Sequence, residues 1–249
     1  MDRRLREGLS MAWLVARREL RDQFRDWRVI VPMVFLTVFF PFLMTATAAA
    51  ALDFTAQYGT PIIAERLVPF FLMVVGFFPI TVSLVIGLEA FVGEKERGTI
   101  EPLLSSPLED WQLYLGKLIA STSVPLFTSY LGISVYLLLL VLRGIPFPEP
   151  IILVQTIILT SVQATLMVSG AIVISTQATS VRGANLLSSF VVIPMAILIQ
   201  GESILMFWGN NLVLWLAVLS VAILAALLIR LGLSHFQREA LLGREIDVL

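Results

Sequence analysis

Two stretches of this chain, residues 67–88 and 118–142, contain no Asp, Glu, Lys or Arg, and between them lies the charged segment EAFVGEKERGTIEPLLSSPLEDW, residues 89–111. Each run exceeds the about 20 apolar residues that carry a helix across a bilayer core. Hydrocarbon offers no partner for a backbone amide or carbonyl, so such runs are restricted to helices or a closed barrel. The segment between them therefore belongs in water. Composition agrees: 58% of the 249 residues are hydrophobic and only 14% charged, with a mean hydropathy of +0.91. A water-soluble core of this size cannot hide that much apolar surface, so lipid is the solvent for much of it. The expected fold is all-α: a polytopic membrane bundle of six spans near residues 29–52, 67–91, 118–142, 151–177, 185–199 and 211–233. Residues 1–28 precede the bundle as an interfacial helix, and 234–249 follow it as a tail.

Charge distribution orients the bundle. Of the 17 Lys and Arg, only Arg66 and Arg143 fall on one side of a six-span arrangement; the rest lie on the side of the N-terminus. The positive-inside bias makes that side cytoplasmic, with both termini inside. Cysteine is absent and the single histidine is His235, which removes disulfides and thiol chemistry. The ATAAAA string at 46–51 resembles a signal-peptidase site, but the preceding segment and apolar run are both too long, so the first span is expected to stay uncleaved.

Within residues 1–28, Leu9, Trp13, Ala16, Leu20, Phe24 and Trp27 recur at steps of three and four. They form one stripe flanked by Arg17, Arg21, Arg25 and Arg28 on one side and Glu19, Asp22 and Asp26 on the other. Such a helix lies in a membrane interface and leaves its acidic flank to water or a partner. Arg17, Arg18, Glu19 and Asp22 are the expected secondary partner contacts. Residues 53–66 and the proline-rich 143–150 read as outer turns. Pro32, Pro41, Pro79, Pro125 and Pro194 lie inside spans.

The fourth span carries unusual polarity: Thr156, Thr160 and Gln163 share a face, with Ser169 on a neighbouring one. Two readings stand, a tight helix–helix seam or the lining of a pathway. No Asp, Glu, Lys or Arg is expected deep in any span, which argues against a proton- or ion-coupled carrier. Residues 200–211, flanked by glycines, read as a re-entrant or interfacial piece. Residues 235–244 read as an amphipathic tail.

The charged segment is densely punctuated. Gly98 suits the end of a short helix at 93–97. Thr99 caps the next turn, with Glu101 and Pro102 at first-turn positions that favour them. Ser106 and Glu109 fit a capping box, with Pro107 first in the following helix. The expected unit is helix, break, short helix, break, helix, more than a tether requires.

GEKERGTIEPLLSSPL, residues 93–108, resembles the signature of permease subunits of type-2 ABC exporters, which follows the second span and includes a coupling helix. Glu94, Glu96, Arg97, Gly98, Thr99, Glu101 and the pair Leu103–Leu104 before Ser-Ser-Pro stand in register. The resemblance implies that residues Glu94, Lys95, Glu96, Arg97, Gly98, Thr99, Ile100, Glu101, Pro102, Leu103 and Leu104 contact an ATP-binding cassette ATPase subunit. It also implies a second permease copy or a paralogue, and a place in the cell inner membrane. The chain has no phosphate-binding G-x-x-x-x-G-K-[ST] loop, so ATP and Mg are expected on the partner and no cofactor or metal on this chain. Nucleic acid is not an expected partner. An enzyme is disfavoured, because intramembrane hydrolysis needs paired acids, a serine–histidine pair or a metal site. The competing reading is a non-transporting structural or signalling subunit built on the same permease fold.

Overall fold

The computed structural model describes residues 3–58, 61–100, 103, 105–178, 180–208 and 211–236, and no strand occurs among them. The helices are α1 (Arg3–Gln23), α2 (Trp27–Tyr58), α3 (Pro61–Glu96), α4 (Asp110–Leu142), α5 (Pro150–Gln177), α6 (Val181–Leu187), α7 (Ser189–Trp208) and α8 (Asn211–His235). Six rods are long and apolar enough to cross a membrane: α2, α3, α4, α5, α6 with α7, and α8. This is the all-α polytopic bundle expected, with α1 as the helix ahead of it.

The spans divide by burial. In α3 and α5 the apolar windows are 67% and 61% buried, against 22% in α2 and 11% in the α6–α7 rod. The central pair is therefore α3 and α5, with α4 and α8 packed beside them and the remaining apolar surface left for lipid. Small residues let the central helices meet. A Cβ at Gly87 would stand 2.7 Å from the Ala171 Cβ, so only glycine permits that approach. One turn further on, Ser175 Oγ receives the Phe91 and Val92 amides at 3.0 Å and donates to the Leu88 carbonyl at 2.6 Å.

Several expectations change. Residues 53–58 and 61–66 are helical rather than loop, because α2 continues to Tyr58 and α3 starts at Pro61; the Ala-rich run after residue 46 has no helix breaker. The separate helix at 93–97 is the last turn of α3 itself. Gly98 does end it, at φ 66°, with the Gly98 amide on the Lys95 carbonyl (3.2 Å) and the Thr99 amide on the Glu94 carbonyl (3.0 Å). Those two bonds are a Schellman closure. The expected turn at 143–150 opens with the same closure at Gly144.

The Ser106–Glu109 capping box does not form. Ser106 Oγ donates back to the Leu103 carbonyl at 2.6 Å, and Glu109 caps α4, its amide held by Gln112 Oε1 at 3.0 Å. Nor is 200–211 re-entrant up to residue 208, for α7 runs through Gly201 to Trp208. Ser188 keeps helical dihedrals (φ −59°, ψ −26°), so α6 and α7 make one nearly continuous fifth span. Finally, the spans do contain buried ionisable groups: Lys117 in α4 and Glu202 in α7 are 1% and 3% exposed. Both sit near span ends, where one charge costs less than at the centre and is easily missed beside long apolar runs.

Candidate functional site: a charged joint at one end of the bundle

The chain between α3 and α4 is anchored by its apolar residues and exposed at its polar ones. Ile100 is buried and Leu103 half-buried against Phe91, Leu113, Tyr114 and Phe236. Phe236, just past α8, lies tilted against Phe91 with ring centroids 5.1 Å apart, so the end of α8 packs on this joint. Glu96, Arg97, Gly98 and Thr99 are exposed.

Behind that exposed edge lies an ion cluster. Lys117 Nζ, fully buried, donates to Glu94 Oε1 of α3 at 2.9 Å and to Glu19 Oε1 of α1 at 3.0 Å. The Phe91 ring stands 5.1 Å from the same nitrogen and adds a cation–π contact. One ammonium thus ties three helices, at a desolvation cost that only the paired carboxylates offset. Next to it, Lys95 Nζ donates to the Thr176 and Ala178 carbonyls at 2.9 and 3.2 Å, across the C-terminal end of α5. Glu96 Oε1 accepts from the Val181 amide at 2.6 Å, at the start of α6. Each charge stands where the helix end prefers it, cation at a C-terminus and anion at an N-terminus. The last turn of α3 is therefore bonded to α4, α5 and the fifth span and, through Lys117, to α1. A cleft of about 520 Å³ opens between α1 and this joint, with Arg18, Asp22, Glu89, Arg97 and Thr99 on its walls.

A family model described as ABC-2 family transporter protein matches residues 13–240. The chain belongs to the ABC-2 transporter family. It is similar to the probable ABC transporter permease protein NosY of Pseudomonas aeruginosa, 29% identical over 126 residues, covering 50% of this chain and 43% of that protein. It is similar also to the protein so described from Stutzerimonas stutzeri, 32% identical over 114 residues, 45% of this chain and 38% of that one. The matched stretch thus spans less than half the length of either relative. An ABC-2 permease subunit with six apolar rods is a multi-pass membrane protein.

The expected contact residues of this permease divide into two groups. Arg97, Gly98, Thr99, Arg17, Arg18 and Asp22 are exposed, as a docking surface needs; Glu96 is exposed but spends one oxygen on Val181. Glu94, Lys95 and Glu19 are turned inward to the bonds described, and Ile100 is buried. Glu101, Pro102 and Leu104 lie outside the described residues. In the fourth span, Thr156, Thr160, Gln163 and Ser169 are all buried. Thr160 faces Gly76 of α3, Gln163 Nε2 donates to Glu202 Oε2, and Ser169 Oγ donates to the Thr165 carbonyl at 2.6 Å. Within this chain these residues pack inside the bundle against α3 and α7.

Sequence reasoning passed over Lys117, Ser175 and Glu202. A lone lysine among Leu113, Tyr114, Leu118 and Ala120 was the available signal for the first. For Ser175 there was none, since its partners are backbone groups of another helix.

At Gly98 the backbone sits in the left-handed region with no atom within 4 Å of a Cβ. Substitution there acts through the backbone alone. Gly98→Ala is expected to destabilise the permease by about 1 kcal/mol, and Gly98→Asn by less, since asparagine tolerates this region. Thermal unfolding in detergent measures both.

Proposed function

We propose that this permease converts ATP hydrolysis on a separate ATPase subunit into export of substrate across the cell inner membrane. The observation that carries the reading is the joint. Its exposed edge, Arg97 to Thr99, continues directly from the last turn of α3, where Glu94, Lys95 and Glu96 bond to α4, α5 and α6 and, through Lys117, to α1. Force applied at that edge is therefore delivered to α1 and to spans two, three, four and five together, and the wall of the α1 cleft, with Arg18 and Asp22, offers a second contact. ATP and Mg would be bound by the ATPase subunit, this chain supplying no phosphate-binding loop. The working unit pairs two permeases, either two copies or this chain with a relative, and two ATPase subunits. Both termini and the joint face the cytoplasm, in keeping with the distribution of Lys and Arg. With few ionisable groups inside, the cargo class that suits the bundle is apolar or amphiphilic: lipids, hydrophobic drugs or glycoconjugates.

Arg97→Ala and Gly98→Val test this in the reconstituted complex. Both are expected to abolish most transport-coupled ATPase activity while the permease still inserts. Undiminished coupling in both removes the mechanism, and modification of residue 97 by an impermeant reagent from outside intact cells removes the orientation.

A further inference from the structure

The N-terminal helix does not present the single stripe its spacing predicts. Its small residues face the protein: Ala12 and Ala16 are 1% and 0% exposed, and a Cβ on Gly116 of α4 would stand 2.8 Å from the Ala12 carbonyl oxygen. With that face fixed, α1 cannot roll. Its large residues Leu9 and Trp13 face outward, and past its end Phe24 and Trp27 continue the band, each between 48% and 76% exposed. Alongside the band run Arg17, Arg21, Arg25 and Arg28, all exposed, and none has a carboxylate partner among the described residues. The acids nearest in sequence are committed or point elsewhere: Glu19 holds Lys117, Asp26 Oδ1 accepts the Arg28 amide at 2.9 Å, and Asp22 lines the cleft.

We propose that Arg17, Arg21, Arg25 and Arg28 form a binding surface for anionic phospholipid headgroups in the leaflet where α1 lies. The tryptophan-bearing band sets the depth of α1 at the headgroup boundary. At that depth the guanidinium row meets the phosphate layer, and each guanidinium presents a fork that matches a phosphate. The face of α1 that carries Arg17 and Arg21 and the face that carries Glu19 belong to one rigid helix, and Arg25 and Arg28 continue the row in the turn after it and at the start of α2. Anionic lipid held on the first therefore fixes the position of the second against Lys117 and Glu94, so leaflet charge sets how firmly α1 is coupled to the joint. The proposal rests on the membrane-spanning fold and needs no ATPase, so it stands or falls separately from the energy-coupling reading.

The test uses the full chain in bilayers of equal parts phosphatidylglycerol and phosphatidylcholine, extracted in mild detergent, with retained lipid quantified by mass spectrometry. The expected result is an excess of phosphatidylglycerol over its bulk share of about fivefold or more. The combined substitution Arg17→Gln, Arg21→Gln, Arg25→Gln and Arg28→Gln brings the ratio to near its bulk value. The four corresponding lysine substitutions retain much of the excess, and Arg66→Gln with Arg143→Gln leaves it intact. Retention at the bulk ratio by the unmodified protein overturns the proposal, as does an undiminished excess in the fourfold glutamine variant. Raised salt during extraction lowers the excess of the unmodified protein; an excess indifferent to salt overturns the proposal even where the fourfold variant fails to insert.

Discussion

Lys117→Met is expected to destabilise the permease by roughly 3 kcal/mol, near the low end for breaking a buried ion pair. The lysine is 1% exposed and holds two carboxylates, whose side chains are only 23% (Glu19) and 19% (Glu94) exposed. Methionine fills similar volume, so little of the loss comes from packing. What remains is two acids facing each other at the junction of α1, α3 and α4 without their shared cation. Glu94 Oε2 already lacks a hydrogen-bond partner, so water has limited access to relieve the charge. Adding Glu19→Gln and Glu94→Gln to Lys117→Met removes the uncompensated charge and is expected to restore most of the stability, because neutral amides cost far less to bury. Denaturation of the detergent-solubilised chain measures each step. If the single variant unfolds like the unmodified protein, or the triple variant is no better than the single, the cluster contributes no net stability. Under the proposed function, both variants lose ATPase coupling, since neither carries the electrostatic tie between α1 and the joint.

The second large effect is expected at Gly116. A Cβ there would stand 2.7 Å from the Val15 Cβ and 2.8 Å from the Ala12 carbonyl oxygen. Both atoms are fixed to the α1 backbone and move only with the helix. Gly116→Val therefore pushes α1 off α4, costing about 2 kcal/mol through overpacking and weakening the neighbouring Glu19–Lys117 pair. Trimming Val15 to alanine is not expected to rescue it, because the Val15 Cβ and the Ala12 carbonyl both remain in the way. Faster tryptic cleavage at Arg17, Arg18 and Arg21 reports the release of α1. Gly201→Val is the control: Gly201 has open space around it, so the same substitution there leaves both stability and cleavage essentially unchanged. Equal effects at the two glycines would refute the docking geometry.

Much of this fold was legible beforehand for a physical reason. A bilayer imposes one length scale and forbids unpaired backbone groups, so uninterrupted apolar runs translate directly into helices. The Gly98 break was legible for a similar local reason, since a left-handed residue at a helix end is nearly a glycine requirement. Boundaries were read less well. The polar residues 53–58 remain helical because nothing in them breaks a helix, although they suggested a loop. Residues 200–208 looked too broken to continue a span, yet a lone glycine in a lipid-facing helix loses no packing.

The site was legible as a segment but not residue by residue. Spacing marks 93–104 as special, but which charges turn inward depends on what lies across from them. Glu94 and Lys95 are adjacent, yet one meets Lys117 and the other meets the carbonyl ends of α5. Alternation along a helix cannot tell these partners apart, because they come from elsewhere in the chain.

Chain order and hydropathy by themselves determined six membrane rods, an amphipathic helix before them, a charged link after the second, and the helix-ending role of Gly98. Those are properties of the local backbone and its solvent. Only the tertiary structure decided that α3 and α5 form the centre, that α1 splits its apolar residues between α4 and the outer surface, and that Lys117 binds three helices together. Each of these depends on contacts between residues far apart in sequence, where close approach and shared charge are set by packing rather than by periodicity.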